Sequence, residues 1–493
     1  MVFNSYTFIA FFLIMLLLHN LPISWRAKKI NLLLASYVFY AAWNPPFILL
    51  LWLSTVVDFF VGRALYTQQN VTKKRLLLVL SLIGNLGMLC FFKYGTFLLE
   101  NFVTLVNLIG IDFNPAEPNI ILPAGISFYT FTTLCYTIDM YHKKSEPVKS
   151  MLDFSLFVTF FPHLVAGPIV RPPQLVPQFE TPRNATMKQI TEGLLLLTLG
   201  LFMKVVLADG QLAPTANDIF GNTGAYLALD AWMGVLAFSG QIFFDFAGYS
   251  TCAIGVALCL GFILPENFKY PYAAVGFSDF WQRWHITLSA WLRDYLYIPL
   301  GGNRQGQLKT YINLMVTMLL GGLWHGANWT YVIWGALNGA YMLLTIRSQD
   351  IRKIYVNKLK LNKFPYLYKI LQVVTTFSLT CFAWIFFRAN NLSDALYISK
   401  HLFAGITHIG IILTSKELIK TNILLSQSKE EFILAILAIF FMETVHLIQR
   451  HESIRHMLSE KPVYIRWAIY YILIFSILFF GVFNSTQFIY FQF

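Results

Sequence analysis

The chain has 493 residues, of which 57% are hydrophobic, 17% aromatic and only 12% charged, with a formal net charge of +12. Soluble domains carry about 25% charged residues, so a chain this long and this apolar has lipid as its solvent, and a soluble enzyme is excluded. The Lys and Arg residues gather in short loops between apolar runs, which is the positive-inside pattern of membrane topology and removes nucleic acid as the explanation of the charge.

Apolar runs of roughly 17 to 25 residues cross a bilayer as helices. The short alternating strands of a transmembrane β-barrel are not the pattern here. The first residues, MVFNSYTFIAFFLIMLLLHN, lack a basic leader and a small-residue cleavage site, so they read as a retained first span. Predicted membrane segments lie at 2–18, 30–43, 47–66, 76–92, 95–110, 120–138, 153–170, 190–208, 226–244, 250–264, 308–323, 329–346, 370–388, 396–413, 431–448 and 463–483. Some are too short to span, which predicts about eleven crossings plus half-membrane helices. Segment 30–43 is roughly 21 Å long at 1.5 Å per residue. It ends at Asn44-Pro45-Pro46, as a re-entrant or thinly spanning segment would.

Basic clusters mark the cytosolic side. Arg26, Lys28 and Lys29 follow the first span, Lys73, Lys74 and Arg75 precede the fourth segment, and both fit an outside N-terminus. The stretch from Arg347 to Lys369 is the largest basic loop and is assigned to the cytosol. No internal repeat and no Gly/Ser linker divides the chain, so residues 1–493 read as one membrane domain. The five cysteines (Cys90, Cys135, Cys252, Cys259, Cys381) sit in apolar segments without a C-x-x-C pair, and read as buried thiols, neither disulfides nor zinc ligands. Pro and Gly concentrate at Phe161 to Pro173 and at Tyr297 to Arg304. Such breaks free backbone groups that need new partners in a membrane, and often line a site.

From Leu314 to Ile346 the only ionisable side chains are His325, Tyr331 and Tyr341. An imidazole at membrane depth is costly unless it lines a polar cavity or performs chemistry, and imidazole exchanges a proton readily near neutral pH. Packing against a neighbouring helix is the plainer reading of His325, and of the surrounding Gly321, Gly322 and Gly326. In Phe280 to Tyr295, the residues Trp281, Trp284, Leu288, Trp291 and Tyr295 recur at spacings of three and four, one helical face. Gln282, His285, Ser289 and Arg293 follow a neighbouring stripe. An interfacial anchor explains the aromatics but has no need of His285. Asp245 places a lone acid in an apolar region, where it could orient a histidine or bind a cation. His163 lies in a Pro-flanked apolar run and reads as packing or cavity lining. The other histidines sit at segment ends or in loops. No metal spacing, P-loop, dinucleotide fingerprint or G-x-S-x-G occurs.

Several motifs together carry a resemblance: Leu122 to Tyr129, Phe161 to Pro168, Phe280 to Arg304 and Leu323-Trp324-His325-Gly326, between an opening Phe3-Asn4-Ser5 and a tail Phe488-Ile489-Tyr490-Phe491. Over nearly its whole length the chain resembles the membrane-bound O-acyltransferases, of the bacterial alginate O-acetyltransferase type. The resemblance implies an all-α polytopic fold around a central funnel open toward both membrane faces. It makes His325 the family's essential histidine and His285 its second signature position. Trp324, Arg283, Trp284, Ser289, Arg293, Asp294, Asn303, Arg304, Asp245 and His163 are expected along the substrate and donor channel. Thr251-Cys252 departs from relatives that carry an acidic residue there, which removes a carboxylate role at position 251.

The implied reaction moves an acyl group, acetyl by preference, from a cytosolic thioester to a hydroxyl of an extracellular polysaccharide such as alginate. The thioester, acetyl-coenzyme A or an acyl carrier protein, is a co-substrate, and no resident metal or redox cofactor is expected. Arg283, Arg293, Arg304 and Lys309 could attract an acidic donor or equally lipid headgroups. The family setting is the bacterial cytoplasmic (inner) membrane, with an SGNH-type periplasmic or extracellular acetyltransferase as partner. Peptidoglycan O-acetylation and teichoic-acid D-alanylation are the rival acceptors. A proton-coupled transporter or scramblase is the rival outside enzymes.

Overall fold

A computed structural model of the chain describes residues 1–116, 118–221, 228–404, 414, 432–437, 439–441, 444, 461–483 and 488. All regular structure among them is helical, as expected of an all-α membrane protein. Six of these helices are long and apolar enough to cross a membrane: Pro45–Thr67, Val71–Leu108, Met187–Gly221, Ala228–Cys259, Pro365–Arg388 and Val463–Phe480. The chain is a multi-pass membrane protein. Residues 405–413 of segment 396–413 and parts of segment 431–448 lie outside the described residues, as do His408, His446, His451, His456 and the tail after Phe488.

Several predicted segments merge or break. Segments 76–92 and 95–110 form one helical run, Val71–Leu108, with a π-helical turn at Cys90–Tyr94. Segments 226–244 and 250–264 form a single helix, Ala228–Cys259. Segment 153–170 is not one continuous helix. It divides at Phe160, ahead of Pro162, into two short buried helices. Four cysteines are buried as expected, but Cys90 is exposed on the apolar run, and all five are free.

The described chain forms two compact units, residues 1–197 with 249–265, and residues 198–248 with 266–492. The first holds helices α1 (Tyr6–Asn20), α2 (Trp25–Ala41), α3 (Ile48–Thr67), α4 (Val71–Leu89), α5 (Gly95–Leu108), α6 (Ile126–Tyr141), α7 (Met151–Thr159), α8 (Phe161–Leu164) and α9 (Pro172–Glu180), and most of α10 (Met187–Leu201). Ser24, Asn70 and Ser150 cap α2, α4 and α7 by accepting a third-residue amide. Helix α6 is the buried centre. Tyr136 packs so closely on Gly62 of α3 that a Cβ there would lie 2.2 Å from the ring. Helix contacts in lipid rest on packing and hydrogen bonds more than on water exclusion. Accordingly, Asp58 of α3 accepts from Ser81 Oγ (2.6 Å) and Asn85 Nδ2 (2.7 Å) of α4, and Thr133 of α6 donates to Asn85 Oδ1 (3.2 Å).

The second unit opens with a π-helical stretch, Phe202–Leu212. It continues through α11 (Ala213–Gly221), α12 (Ala228–Cys259, as far as Gly248), α13 (Phe277–Trp281), α14 (Ile286–Leu292), α15 (Gln307–His325), α16 (Trp329–Arg347), α17 (Gln349–Lys358), α18 (Pro365–Arg388), α19 (Leu392–His401) and α20 (Val463–Phe480). Helix α20 exposes Trp467, Ile472, Phe475, Leu478 and Phe479, a surface suited only to lipid. Helices α15 and α16, 19 residues each, carry Asn313, Thr317, His325, Thr330 and Asn338. All five are buried, so these helices are less apolar overall than the six, yet their polar groups face protein.

Helices α15 and α16 form an antiparallel hairpin with backbones nearly touching. A Cβ on Gly322 would lie 2.3 Å from the Tyr331 carbonyl, and one on Gly335 2.4 Å from that of Met318. Gly335→Val is therefore expected to lower stability by about 1–3 kcal/mol or more through overpacking, read as a drop in melting temperature of the detergent-solubilised chain. Gly84→Ala, where an added Cβ meets nothing within 4 Å, is the control and should melt like wild type. Equal melting of both variants would mean the hairpin is not packed this closely.

Candidate active site

His325 is the last residue of α15, and its place follows from what ends that helix. Gly326 takes an extended conformation (φ −165°, ψ 154°), and a Cβ there would lie 2.1 Å from the Tyr331 ring. Asn328 then caps α16, accepting from Thr330 N at 3.0 Å and donating through Nδ2 to the Asn390 carbonyl at 3.3 Å. The turn is thereby pinned and the imidazole is held inward, 4% exposed. Its ring meets Trp324 and Trp334 at centroid distances of 5.0 Å and Phe387 at 5.2 Å, all edge to face. Trp384 stacks on Trp334 at 5.8 Å and is itself 1% exposed. The carbonyl end of a helix favours positive charge by about 0.3–1 kcal/mol at exposed sites and up to about 2 when partly buried, so this position suits a group that becomes an imidazolium.

His285 is fully buried at 0% exposure and joins the same cluster. Its ring lies 5.9 Å from Trp324 and 4.6 Å from Phe246, and Phe268 lies nearly parallel to it at 6.4 Å. Both imidazoles thus flank one indole. The backbone of His285 is left-handed (φ 43°, ψ 54°), a conformation that costs a non-glycine residue about 1–3 kcal/mol and persists only where its surroundings hold it.

That residue breaks the single helical face predicted for Trp281 to Tyr295. Helix α13 ends at Trp281, the chain turns through His285, and α14 begins afterwards. Trp284, Leu288, Trp291 and Tyr295 are buried, as their spacing required. The polar stripe does not survive, because Gln282 and Arg293 are exposed while His285 is buried. Ser289 donates to the Trp284 carbonyl (3.2 Å), and Trp284 packs on Trp384 at 5.0 Å.

The charged candidates divide. Arg283 pairs with Asp279 at 2.6 Å and lies over the Tyr270 ring at 4.3 Å. Arg293 pairs with its neighbour Asp294 at 2.7 Å. Both guanidiniums are therefore already matched by carboxylates. Asn303 and Arg304 are exposed on a tight turn, where Gly301 (φ 113°) and Gly302 (φ 56°) adopt conformations that favour glycine. This turn precedes α15 and so lies at the opposite end of that helix from His325, roughly 27 Å along the axis at 1.5 Å per residue. His163 belongs to the first unit, buried beside Phe160 at a centroid distance of 6.1 Å.

Asp245 is not the lone acid expected. It forms an ion pair with Lys204, which also donates to Asp209 at 2.9 Å. Lys204 and Asp209 are five residues apart, which the π-helical stretch places on one side. All three side chains are buried. A lysine inside predicted segment 190–208 was the available signal for this triad. For Trp334, Trp384 and Phe387 there was none, since aromatics in apolar runs are ordinary. Among the described residues, no three His, Cys, Asp or Glu side chains come together as a metal site.

The sequence profile of the membrane-bound O-acyltransferase family matches residues 6–388, which include both histidines. The chain is 40% identical over 407 residues to a protein of Azotobacter vinelandii named "Probable alginate O-acetylase AlgI", covering 82% of this chain and 78% of that one. It is likewise 40% identical over 416 residues to the peptidoglycan O-acetyltransferase of Helicobacter pylori, covering 79% and 76%. A teichoic acid D-alanyltransferase of Streptococcus thermophilus is more distant, at 26% over 334 residues, covering 62% and 78%. The chain is an acyltransferase belonging to the membrane-bound O-acyltransferase family.

Proposed function

We propose that this chain moves an acetyl group from a cytosolic thioester to the hydroxyls of a cell-surface polysaccharide, with alginate as the first candidate, and that His325 is the general base. The observation that carries this reading is the burial of His325 and His285 against one indole in a chain of this family. The acceptor hydroxyl loses its proton to His325 as its oxygen bonds the thioester carbon. The resulting oxyanion is met by N–H donors, with His285 the first candidate. Collapse breaks the C–S bond, and the departing thiolate takes the proton back from the imidazolium. The cluster serves as the narrow part of a funnel reached from both membrane faces, within one membrane domain of about eleven crossings. The polar but buried helices α15 and α16 support a count above six.

The donor is acetyl-coenzyme A or an acyl carrier protein. Arg304 and Lys309, both exposed, are the cations left to meet its phosphates at the cytosolic surface. Arg283 and Arg293 are engaged with acids, so they serve structure. The setting is the bacterial cytoplasmic membrane, and an SGNH-type acetyltransferase outside it completes delivery to the polymer. Peptidoglycan is the second reading, favoured by the Helicobacter pylori relative at equal identity.

Mass spectrometry of surface glycans and wall fragments, from cells with and without the chain, separates the two. Acetate esters appearing on the exopolysaccharide alone support the first reading, and esters on wall glycan alone support the second. Unchanged acetate on both would overturn acetyl transfer to these acceptors.

A further inference from the structure

The left-handed backbone at His285 needs a clamp, and one residue supplies most of it. The Asn267 carbonyl accepts from Ile286 N at 2.9 Å, and its side-chain Oδ1 accepts from Thr287 Oγ1 at 3.0 Å and from Thr287 N at 3.3 Å. Two residues further on, Lys269 N donates to the Arg283 carbonyl at 2.9 Å. Segment 267–269 thus brackets His285 on both sides. Phe268, between those anchors, lies nearly parallel to the imidazole, with planes 15° apart. Asn267 is 1% exposed, and its Nδ2 has no hydrogen-bond partner among the described residues. A buried asparagine whose side-chain oxygen serves both donors of Thr287, two residues after a strained histidine, is a directed contact and more than general packing.

We propose that Asn267 is a positioning residue for acyl transfer, holding His285 in the left-handed conformation that turns its imidazole against Trp324. The proposal rests on the reading of His285 as part of the active site. It makes the Asn267 oxygen, rather than its bulk, the working group.

The test uses the full chain in cells and measures acetate esters on the surface polymer per unit of membrane-inserted protein. Asn267→Leu is expected to lower acetylation about 100-fold, the scale of a catalytic group misplaced by about 1 Å. In the double variant Asn267→Leu/His285→Gln, acetylation should be no lower than in His285→Gln alone, because no imidazole is left to position. A merely structural role would instead multiply the two losses. Wild-type acetylation by Asn267→Leu beside an impaired His285→Gln, or multiplied losses, would each overturn the proposal while leaving the site reading intact. Full acetylation by His285→Gln would overturn both.

Discussion

Replacing His325 by alanine or glutamine is expected to reduce acyl transfer by about 100- to 10,000-fold, the range that a positioned general base contributes, with no loss of the chain from the membrane. The ring sits at the carbonyl end of α15, enclosed by Trp324, Trp334 and Phe387. Aromatic walls exclude water and so strengthen every charge that develops inside them. His325 combines an exchangeable proton, burial and a helix's carbonyl end with a place beside the second buried histidine's indole partner, Trp324. Glutamine fills much of the space of imidazole and can hydrogen-bond, yet it cannot accept the proton, so His325→Gln separates chemistry from packing. His285→Gln should be the next most damaging. Lys358→Ala, on the exposed face of α17, should acetylate as wild type does. The readout is acetate on the surface polymer by mass spectrometry, normalised to inserted protein. Equal losses at all three positions would mean that the site has been misplaced.

Lys204→Met is the second large effect, and it is one of stability. Lys204 bonds both Asp209 and Asp245, and the three side chains are 7%, 3% and 1% exposed. Removing one partner from a buried ion pair costs about 3–5 kcal/mol, because the remaining charge stays buried without that counter-ion. Here two carboxylates would lose the same ammonium. The damage should spread to the site, since Asp245 is followed by Phe246, whose ring touches that of His285. Close approach makes the join rigid. A Cβ on Gly248 would lie 2.8 Å from the Gly200 carbonyl and 3.1 Å from Lys204 N. The expected result is a large fall in melting temperature and in yield after detergent extraction. Lys204→Met/Asp245→Asn should regain part of the loss by removing one of the stranded charges. A Lys204→Met chain as stable as wild type would show that this triad does not hold the π-helical stretch to α12.

Much of this was legible in residue order because lipid imposes a severe rule. Every buried polar group in a spanning helix must find a partner, so few are present, and those few stand out. His325 could be singled out for that reason. His285 stood out by being superfluous to an anchor helix. The helical spacing of its aromatic neighbours foretold their burial but not their backbone. A period of three and four is compatible with two short helices and a turn, and only the φ of His285 distinguishes the cases. For the arginines, residue order gave their place but not their partners. Arg283 and Arg293 are drawn to the site by sequence proximity, whereas their charges are satisfied by Asp279 and Asp294.

The sequence alone determined the solvent and the helical class, which depend on composition and local spacing, and the family resemblance, which its motifs carry. Tertiary structure alone decided that Asp245 answers Lys204, that Asn267 grips the chain after His285, and that Trp334, Trp384 and Phe387 close around His325. Those pairings join residues from 9 to 62 positions apart, His325 with Trp334 and with Phe387 at the two extremes. Close packing, not local propensity, selects them.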